Sequence, residues 1–310
     1  MGSNPPCCPT PMFSERHADA VIVRAPAKVN LFLEVLARRP DGYHEIATLM
    51  AAVSLYDTLE FKEEASGQVR LTCDQPNLST GPENLVCRAA DSLKRHSGST
   101  RGAAIRLTKR IPMAAGLAGG STDAAATLAG LNQLWQLGLL ASELAALGAE
   151  IGSDVPFFFS TPAAWCTGRG EKTTPWPLGR PLHLVLVCPG MGLSTAEVYR
   201  GVTIPERPES GEEIRQAAAE GNVEEIGRRL LNRLQSAAER LCPPLANWRG
   251  RLAKQGAAGQ SMSGSGTSLF ALCRDHAEAL RLARSLRAEE EAPTGPKTGG
   301  ARVFVVQSCI

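Results

Sequence analysis

Residues 112–126 are Pro112-Met-Ala-Ala-Gly-Leu-Ala-Gly-Gly-Ser-Thr-Asp-Ala-Ala-Ala126, which place three glycines and two hydroxyl side chains directly before a helical pattern. Gly116, Gly119 and Gly120 lack a Cβ, so the backbone can adopt unusual dihedral angles and approach a ligand closely. Several N–H groups can then point at one position, which suits a bound anion. The stretch therefore predicts a phosphate-binding loop.

The segment after this loop repeats apolar side chains at spacings of four and three residues, at Ala124, Leu128, Leu131 and Trp135. That period predicts a helix, whose N-terminal N–H groups and dipole would face the same anion. No Lys follows the last glycine and no G-x-G-x-x-G occurs, so neither a P-loop nor a dinucleotide motif is present. A tight turn whose glycines only permit close packing stays open as the alternative.

The composition is typical of a globular protein with small-molecule partners. The chain has 310 residues, 43% of them hydrophobic and 21% charged, and a formal net charge of +2. This balance lacks the concentrated basic surface of a nucleic-acid binder, and no apolar run is long enough for a membrane span. The length suits one large domain or two ordinary ones, and we predict two. A monomer and a homodimer both stay open.

The nine cysteines are an odd number without C-x-x-C spacing, which argues against a disulfide framework and a zinc site. Cys166, Cys188 and Cys273 lie in apolar, strand-like runs and are typical of buried thiols. A reducing cytoplasm is the predicted location, or the plastid stroma for a protein from a photosynthetic eukaryote.

Strand and helix patterns mix along the chain. Strands are predicted within 21–36, 57–61, 68–73, 104–107, 183–188, 268–273 and 303–306, and helices within 84–96, 121–135, 142–151 and 212–254. Prolines and a glycine at 173–181 indicate a connector between two units. Residues 1–20, with Cys7 and Cys8 but no apolar signal segment, are predicted as a disordered extension, and 288–300 as a mobile surface loop.

Lys28 and Asp154 are the residues best suited to phosphoryl-transfer chemistry. Lys28 lies within an apolar strand, where a buried ammonium needs a carboxylate partner. Asp154 lies in the helix-breaking stretch 152–156, before an aromatic strand predicted at 157–159, and could accept a proton from a hydroxyl group. A buried Lys28 needs a carboxylate nearby and Asp154 is a candidate, so each residue predicts that the other lies close to it. A non-catalytic explanation stays open for each residue: Asp154 as the cap of a helix, and Lys28 as a solvent-facing residue of an edge strand.

Two more segments are candidates for ligand binding. Ser261-Met-Ser-Gly-Ser-Gly-Thr267 precedes a strand and could bring further N–H groups to phosphates, or form an ordinary glycine turn. Asp41-Gly-Tyr-His44 joins a turn to an aromatic ring and an imidazole, which suits the binding of a flat heterocycle. The alternative is that Tyr43 lies in the core and His44 lies on the surface without a binding role.

In their order along the chain, these pieces resemble the GHMP family of small-molecule kinases, from about residue 21 to the C-terminus. The resemblance implies an α+β fold of two domains with the active site in the cleft between them. The N-terminal domain (21–176) would resemble ribosomal protein S5 domain 2, and the C-terminal domain (177–310) would be ferredoxin-like. The segments 25–33, 40–44 and 152–156 are similar to one branch, which phosphorylates a cytidine diphosphate derivative of methylerythritol in the non-mevalonate route to isoprenoids.

The resemblance also implies a role for each candidate residue. Asp154 would take the proton from the tertiary 2-hydroxyl of the methylerythritol, and Lys28 would hold that hydroxyl and stabilise its anion. The residues implied for substrate binding are Asn30 for orientation, His44 for the cytosine edge, and Tyr43 and Tyr199 for stacking on the cytosine ring.

The cofactors implied are ATP as phosphoryl donor and Mg²⁺, with the Ser121 hydroxyl as a contact to the metal. Mg²⁺ keeps several water ligands in such sites, so few protein ligands are needed. The residues implied for ATP binding are Asn84, Lys109, Pro112, Met113, Ala114, Ala115, Gly116, Leu117, Ala118, Gly119, Gly120, Ser121, Gly264 and Ser265.

Two departures from the family pattern stand out. Ala114 and Ala118 occupy positions where many relatives carry glycine, which we expect to be tolerated through a negative φ at both. Asn232-Arg-Leu-Gln235 stands where relatives often have Asn-Asp-Leu-Glu, which leaves no role for that acidic pair. Two other functions stay open: a GHMP kinase for mevalonate, homoserine or a sugar, and a catalytically silent member that only binds nucleotide.

Overall fold

A computed structural model describes residues 12–17, 19–160, 162–291 and 300–309. Within these ranges the chain forms two sheets and a set of helices. The strands are β1 (Phe13–His17), β2 (Ala20–Arg38), β3 (His44–Glu64), β4 (Val69–Cys73), β5 (Gly102–Thr108), β6 (Ala163–Gly168), β7 (Lys172–Pro175), β8 (His183–Cys188), β9 (Leu231–Asn232), β10 (Gly259–Met262), β11 (Leu269–Cys273) and β12 (Arg302–Gln307). This mixture of sheets and helices confirms the predicted α+β class.

The larger sheet is built around the antiparallel pair of β2 and β3. Its order is β1-β2-β3-β5-β4, with β6 and β7 continuing from β3, and β9 beside β2. The first part of β3 pairs with β6 and its last part with β5. Residues 21–36, predicted to contain strand structure, lie in the single strand β2, whose pairing shifts register at Pro26/Ala27. Such irregularities let one long strand bend and re-aim its side chains.

The smaller sheet has the order β10-β11-β8-β12, with antiparallel pairs throughout the described residues. The helices that cover the two sheets are α1 (Leu85–Ser97), α2 (Gly119–Trp135), α3 (Ala141–Ile151), a 3₁₀ helix (Pro156–Phe159), α4 (Thr195–Arg200), α5 (Glu212–Glu220), α6 (Val223–Arg229), α7 (Gln235–Leu241), α8 (Pro244–Ala253) and α9 (His276–Glu291). None of the helices in the described ranges combines the length and the apolar character that crossing a bilayer requires.

Apolar packing joins the two sheets. One cluster of buried side chains contains Val29 and Leu31 of β2 together with Leu186 of β8 and Phe270 of β11. The halves of the chain therefore share a core at the place where β2 carries its polar residues. The division at residue 176 stays a prediction.

Three local predictions are wrong. Residues 13–17, expected within a disordered extension, form β1, because a hairpin pairs them with β2 from Phe13↔Arg24 to His17↔Ala20. The stretch 157–159 is a 3₁₀ helix rather than a strand, because Val155 already has helical dihedrals and Pro156 suits the first helical position. Residues 288–291 continue α9, where Arg251 pairs with Glu289 and Glu290.

The cysteines behave as predicted where the structure describes them. Cys166, Cys188 and Cys273 are buried free thiols on β6, β8 and β11, and none of the described cysteines is paired in a disulfide. Cys7, Cys8 and most of the remaining predicted loop, 292–299, lie outside the described residues.

Candidate active site

A cavity of about 1090 Å³ opens where β2, the start of β3, the turn before α2, helix α4 and the loop between β10 and β11 meet. Every site residue predicted from the sequence lines it: Lys28, Asn30, Tyr43, His44, Asn84, Lys109, residues 112–121, Asp154, Tyr199, Gly264 and Ser265. Folding therefore brings together residues that are more than 200 positions apart in the sequence. Their individual roles stay predictions.

The charged pair expected from the sequence is present. Lys28 Nζ on β2 lies 3.7 Å from Asp154 Oδ2, in the turn between α3 and the 3₁₀ helix. The Lys28 side chain is only 4% exposed, whereas that of Asp154 is 31% exposed and faces the cavity. Burial lowers the pKa of the Lys28 ammonium, and the attraction of Asp154 opposes that effect. The pair puts a proton acceptor and a cation at one position on the cavity wall.

Asn30 holds the Lys28 ammonium in place. Its Oδ1 accepts hydrogen bonds from Lys28 Nζ at 2.6 Å and from the backbone N–H of Gly264 at 2.9 Å. Its Nδ2 donates to Thr48 Oγ1 at 2.8 Å. The amide is buried and is largely used by these protein partners. Asn30 thus orients Lys28, while direct contact with a substrate stays a prediction.

The glycine-rich turn takes a left-handed backbone at three positions, with φ of 49° at Ala114, 75° at Gly116 and 55° at Ala118. The expectation of a negative φ at both alanines is wrong, because the chain must reverse here to begin α2 at Gly119. A Cβ at Gly116 would overlap the carbonyl oxygen of Ser263, so this position admits only glycine. The two alanines carry strain that glycine would not.

The N-terminus of α2 is open to a ligand. Ala118 is its N-cap, and the described chain supplies neither a side-chain cap nor an acidic residue in the first turn. The first N–H groups of a helix lack intrahelical partners, and the helix dipole adds positive potential there. Gly119 and Gly120 let this turn pack closely, because a Cβ at Gly119 would lie 3.1 Å from Ile111 Cγ2 and one at Gly120 would lie 3.4 Å from Leu85 Cδ1. This geometry suits an anion such as a phosphate.

The loop between β10 and β11 closes against the same turn. Ser263 Oγ donates to the Gly116 carbonyl at 2.9 Å, as does Lys28 Nζ at 3.1 Å. The Ser265 and Thr195 hydroxyls are 2.9 Å apart, which ties the loop to the start of α4. The loop and the turn thus share one carbonyl group and form one continuous wall.

The residues expected near adenosine already have protein partners. Asn84 caps α1: its Oδ1 accepts from the Val86 N–H at 2.9 Å, and its Nδ2 donates to the Ser79 carbonyl at 2.6 Å. Lys109 Nζ contacts the Asp57 carboxylate and lies 2.7 Å from Asp123 Oδ2, with only 5% of its side chain exposed. Both residues line the cavity, but their polar atoms are mainly bonded to neighbouring protein groups.

The cluster of Lys109, Asp57 and Asp123 contains one more carboxylate than cations. Burial raises the pKa of Asp123 to about 8, an effect that Lys109 opposes and the charge of Asp57 reinforces. Burial also acts to lower the pKa of Lys109, but the two carboxylates raise it overall. Asp123 Oδ1 has no hydrogen-bond partner among the described residues. The cluster therefore holds a proton that an isolated aspartate would release.

Elsewhere on the cavity wall, His44 and Tyr199 lie against each other with ring centroids 5.2 Å apart. His44 Nε2 is buried and lacks a partner within the described chain. Burial lowers the pKa of His44, so the ring is neutral at pH 7. Tyr43 is 54% exposed, and the Arg169 guanidinium lies 4.9 Å from its ring centre. Two aromatic faces and a neutral imidazole suit a planar heterocycle.

Comparison with known proteins identifies the family. Models of the GHMP kinases N terminal domain and the GHMP kinases C terminal domain match residues 84–161 and 214–292. The 4-diphosphocytidyl-2-C-methyl-D-erythritol kinase of Exiguobacterium sibiricum is 43% identical over 269 residues, which cover 86% of this chain and 94% of that protein. The chain belongs to the GHMP kinase family. It is therefore a small-molecule kinase with ATP as its phosphoryl donor.

Solved structures support the assignment of this GHMP kinase. A crystal structure of 4-(cytidine 5'-diphospho)-2C-methyl-D-erythritol kinase superposes with a TM-score of 0.76 at 38% identity, covering 93% of this chain and 99% of that one. The homoserine kinase of Cytophaga hutchinsonii superposes with a TM-score of 0.72 at 20% identity, covering 94% and 96%. The second likeness shows the shared fold alone.

Several residues in or beside the cavity of this GHMP kinase were missed from the sequence. Arg169 lies in the turn between β6 and β7, and only its position between two glycines marks it. Asp57 and Asp123 are carboxylates in apolar runs, the same signal that singled out Lys28, and they could have been matched to Lys109. Thr195 carries no local signal, because only the fold brings it to Ser265.

Proposed function

We propose that this GHMP kinase transfers the γ-phosphoryl group of ATP to the 2-hydroxyl of 4-diphosphocytidyl-2-C-methyl-D-erythritol. The products are the 2-phosphate and ADP, in the non-mevalonate route to isoprenoids. The observation that carries the proposal is the Lys28–Asp154 pair in a cavity that His44 and Tyr199 also line. The name shared by its relatives in sequence and structure supports the same substrate.

The chemistry requires one proton transfer and one phosphoryl transfer. Asp154 accepts the proton of the 2-hydroxyl as its oxygen forms a bond to the γ-phosphorus, and the bond from that phosphorus to the β,γ-bridging oxygen breaks. ADP leaves with the electron pair of that bond. Lys28, fixed by Asn30, stabilises the negative charge on the attacking oxygen and on the transferring group. No covalent intermediate with the protein is needed.

The phosphates are bound by backbone N–H groups at the start of α2 and in the loop after β10. Mg²⁺ fits this wall, because the Ser121 hydroxyl lines it, makes no hydrogen bond to the rest of the described chain, and offers the oxygen donor that this ion prefers. When bound, Mg²⁺ supplies positive charge to the phosphate oxygens. The described residues contain no cluster of three carboxylate, His or Cys ligands, so Ser121 is the protein contact we assign to it.

The cytosine is bound at the His44 end of the cavity. The unpartnered His44 Nε2 offers one hydrogen bond to the base edge. Tyr43 and Tyr199 supply ring faces on which a flat base can stack. These contacts are present equally before and during the reaction, so they determine affinity rather than the rate of the chemical step.

Arg169 is assigned to the diphosphate that links cytidine to methylerythritol. Its guanidinium lies over Tyr43, while the next residue, Gly170, approaches Asp154: a Cβ there would be 3.8 Å from Asp154 Oδ1. Arg169 is thus close both to Tyr43 and, through Gly170, to Asp154. A substrate that contacts Tyr43 and Asp154 can place its diphosphate beside Arg169, which can bind phosphate oxygens in bidentate fashion.

The test is an acceptor panel with the purified protein, ATP and Mg²⁺. The acceptors are 4-diphosphocytidyl-2-C-methyl-D-erythritol, mevalonate, homoserine and galactose, with ADP measured by a coupled assay and the product by mass spectrometry. We expect turnover with the cytidine substrate alone. Phosphorylation of mevalonate, homoserine or galactose in its place would contradict the proposal. Nucleotide binding without turnover of any acceptor would identify a silent member instead.

A further inference from the structure

The motif Asn232-Arg-Leu-Gln235, which the proposed chemistry leaves unused, is attached to the strand that carries Lys28. Strand β9 runs parallel to β2, and the Arg233 N–H donates to the Leu33 carbonyl at 2.8 Å. The Arg233 guanidinium binds the fully buried Glu34 carboxylate with two hydrogen bonds, at 2.7 and 2.6 Å. This bidentate pair gives the motif a definite position relative to β2.

Asn232 points from this anchor into the loop after β10. Its Nδ2 donates to the carbonyls of Met262 at 2.7 Å and Gly264 at 2.8 Å, and its Oδ1 accepts from the Leu234 N–H at 2.9 Å. The side chain is buried and both of its N–H groups are used. Asn232 therefore holds the carbonyl side of Gly264.

The amide side of Gly264 faces the reacting pair. Its N–H donates to Asn30 Oδ1, the same atom that accepts from Lys28 Nζ. Gly264 has φ of 56°, and a Cβ there would lie 3.1 Å from Lys28 Nζ. A continuous series of hydrogen bonds thus runs from Asn232 through Gly264 and Asn30 to the ammonium that pairs with Asp154.

We infer that Asn232 is a positioning residue for phosphoryl transfer, which acts on Lys28 through Gly264 and Asn30 without contacting substrate. If the Gly264 carbonyl is released, the dihedral angles of Gly264 can change and turn its N–H away from Asn30. Asn30 then loses one of the two donors that fix its Oδ1, and the Lys28 ammonium loses its defined position. Misplacement of a catalytic group by about 1 Å can reduce a rate by roughly 100-fold. The inference rests on the proposed roles of Lys28 and Asp154.

The test compares Asn232→Leu, which keeps the branching at Cγ and removes the hydrogen bonds, with Asn232→Ser, which keeps one donor and disturbs packing differently. We expect kcat to fall about 10- to 100-fold in both, with KM for ATP and acceptor changed by less than about 3-fold. Gln235→Met is the matched control, because Gln235 binds the Met262 N–H and not Gly264. Its kcat should stay within about 2-fold of the wild type.

A double-mutant cycle separates positioning from a general structural role. If Asn232 acts through Lys28, then adding Asn232→Leu to Lys28→Met should lower kcat no further. Additive losses, or a wild-type kcat in either folded Asn232 variant, would overturn the inference. These rates are measured with whichever acceptor the wild type phosphorylates. Failure of the proposed function would appear separately, as a wild type that does not phosphorylate the cytidine substrate.

Discussion

At the scale of single residues, Asp154 has two features that a catalytic base requires. Its carboxylate is partly exposed to the cavity, and it lies beside a buried ammonium. Neither feature is needed for nucleotide binding as we propose it, in which the backbone N–H groups of α2 and the adjacent loops bind the phosphates. Chemistry and ATP binding should therefore be separable by mutation.

The substitution Asp154→Asn should lower kcat by a factor on the order of 10² to 10⁴, the usual contribution of a general base. The Kd for an ATP analogue, measured by calorimetry, should stay within a few-fold of the wild type. Glu220→Gln, an exposed carboxylate on α5 that pairs with Gln216, is the control and should leave both quantities unchanged. A kcat for Asp154→Asn within a few-fold of the wild type would remove Asp154 from the base role.

His44→Ala should raise KM for the cytidine substrate by about 10-fold, because the hydrogen bond offered by the buried Nε2 is lost in ground and transition states alike. Steady-state kinetics with the cytidine substrate varied at saturating ATP would measure the change. An unaltered KM would show that His44 lies outside the base-binding site.

Arg169→Ala should also raise KM for the cytidine substrate, by roughly 10- to 100-fold, because charge-assisted hydrogen bonds to a diphosphate are lost. Arg169→Lys should recover part of the affinity, and KM for ATP should not change. Arg88→Ala, an exposed arginine of α1 outside the cavity, serves as the control. Equal losses for Arg169→Ala and Arg169→Lys would contradict a phosphate contact based on charge.

At the scale of an element, the start of α2 combines an open phosphate site with a strained turn. Ala118 adopts φ of 55° as the N-cap, a conformation that costs an L residue about 1–2 kcal/mol. The strain at this end of α2 lies in Ala114 and Ala118, just before the first N–H groups of the helix. It comes from the geometry of the site rather than from helix packing.

Ala118→Gly should raise the midpoint of urea unfolding, because the relief of left-handed strain outweighs the roughly 0.4–1 kcal/mol by which glycine favours the unfolded chain. Ala125→Gly is the matched control: Ala125 is a buried residue within α2 and should lower the midpoint through helix propensity and lost packing. Midpoints that shift downward by equal amounts in the two variants would contradict the left-handed assignment.

At the scale of the whole molecule, the cluster of Lys109, Asp57 and Asp123 makes stability depend on pH. The folded protein keeps a proton on Asp123 up to about pH 8, whereas an ordinary Asp releases it near 3.8. Between these values the folded state binds the additional proton, so its stability decreases as pH rises. The contribution is fully present below the ordinary pKa and is lost as pH rises through about 8.

We expect the free energy of unfolding of the wild type, relative to that of Asp123→Asn, to fall by up to about 1.4 kcal/mol per pH unit between pH 5 and 7.5. Asn cannot titrate, so the comparison isolates this one proton. Urea unfolding of both proteins across the range measures the difference. Parallel pH profiles would show that Asp123 does not hold the proton.

Local patterns were sufficient to predict the pieces of the site. The glycine-rich turn, the helix after it, the break at 152–156 and the buried Lys28 each have a signal within a few residues of sequence. The length of β3, the strand β9 and the 3₁₀ helix were not predicted, because pairing between distant strands and packing against the shared core determine them. The extension of α9 likewise depends on Arg251, a residue nearly 40 positions earlier.

By itself, the sequence predicted a phosphate site built from backbone amides and a carboxylate partner for Lys28, because glycine content and the cost of an unpaired buried charge are local properties. Only the tertiary structure decided which partner each group has. It pairs Lys109 with Asp57 and Asp123, gives Ala114 and Ala118 a left-handed backbone, and brings the Asn232 side chain to the carbonyl group of Gly264. Those outcomes depend on which distant segments meet when the two sheets pack together, and local patterns do not encode these distances.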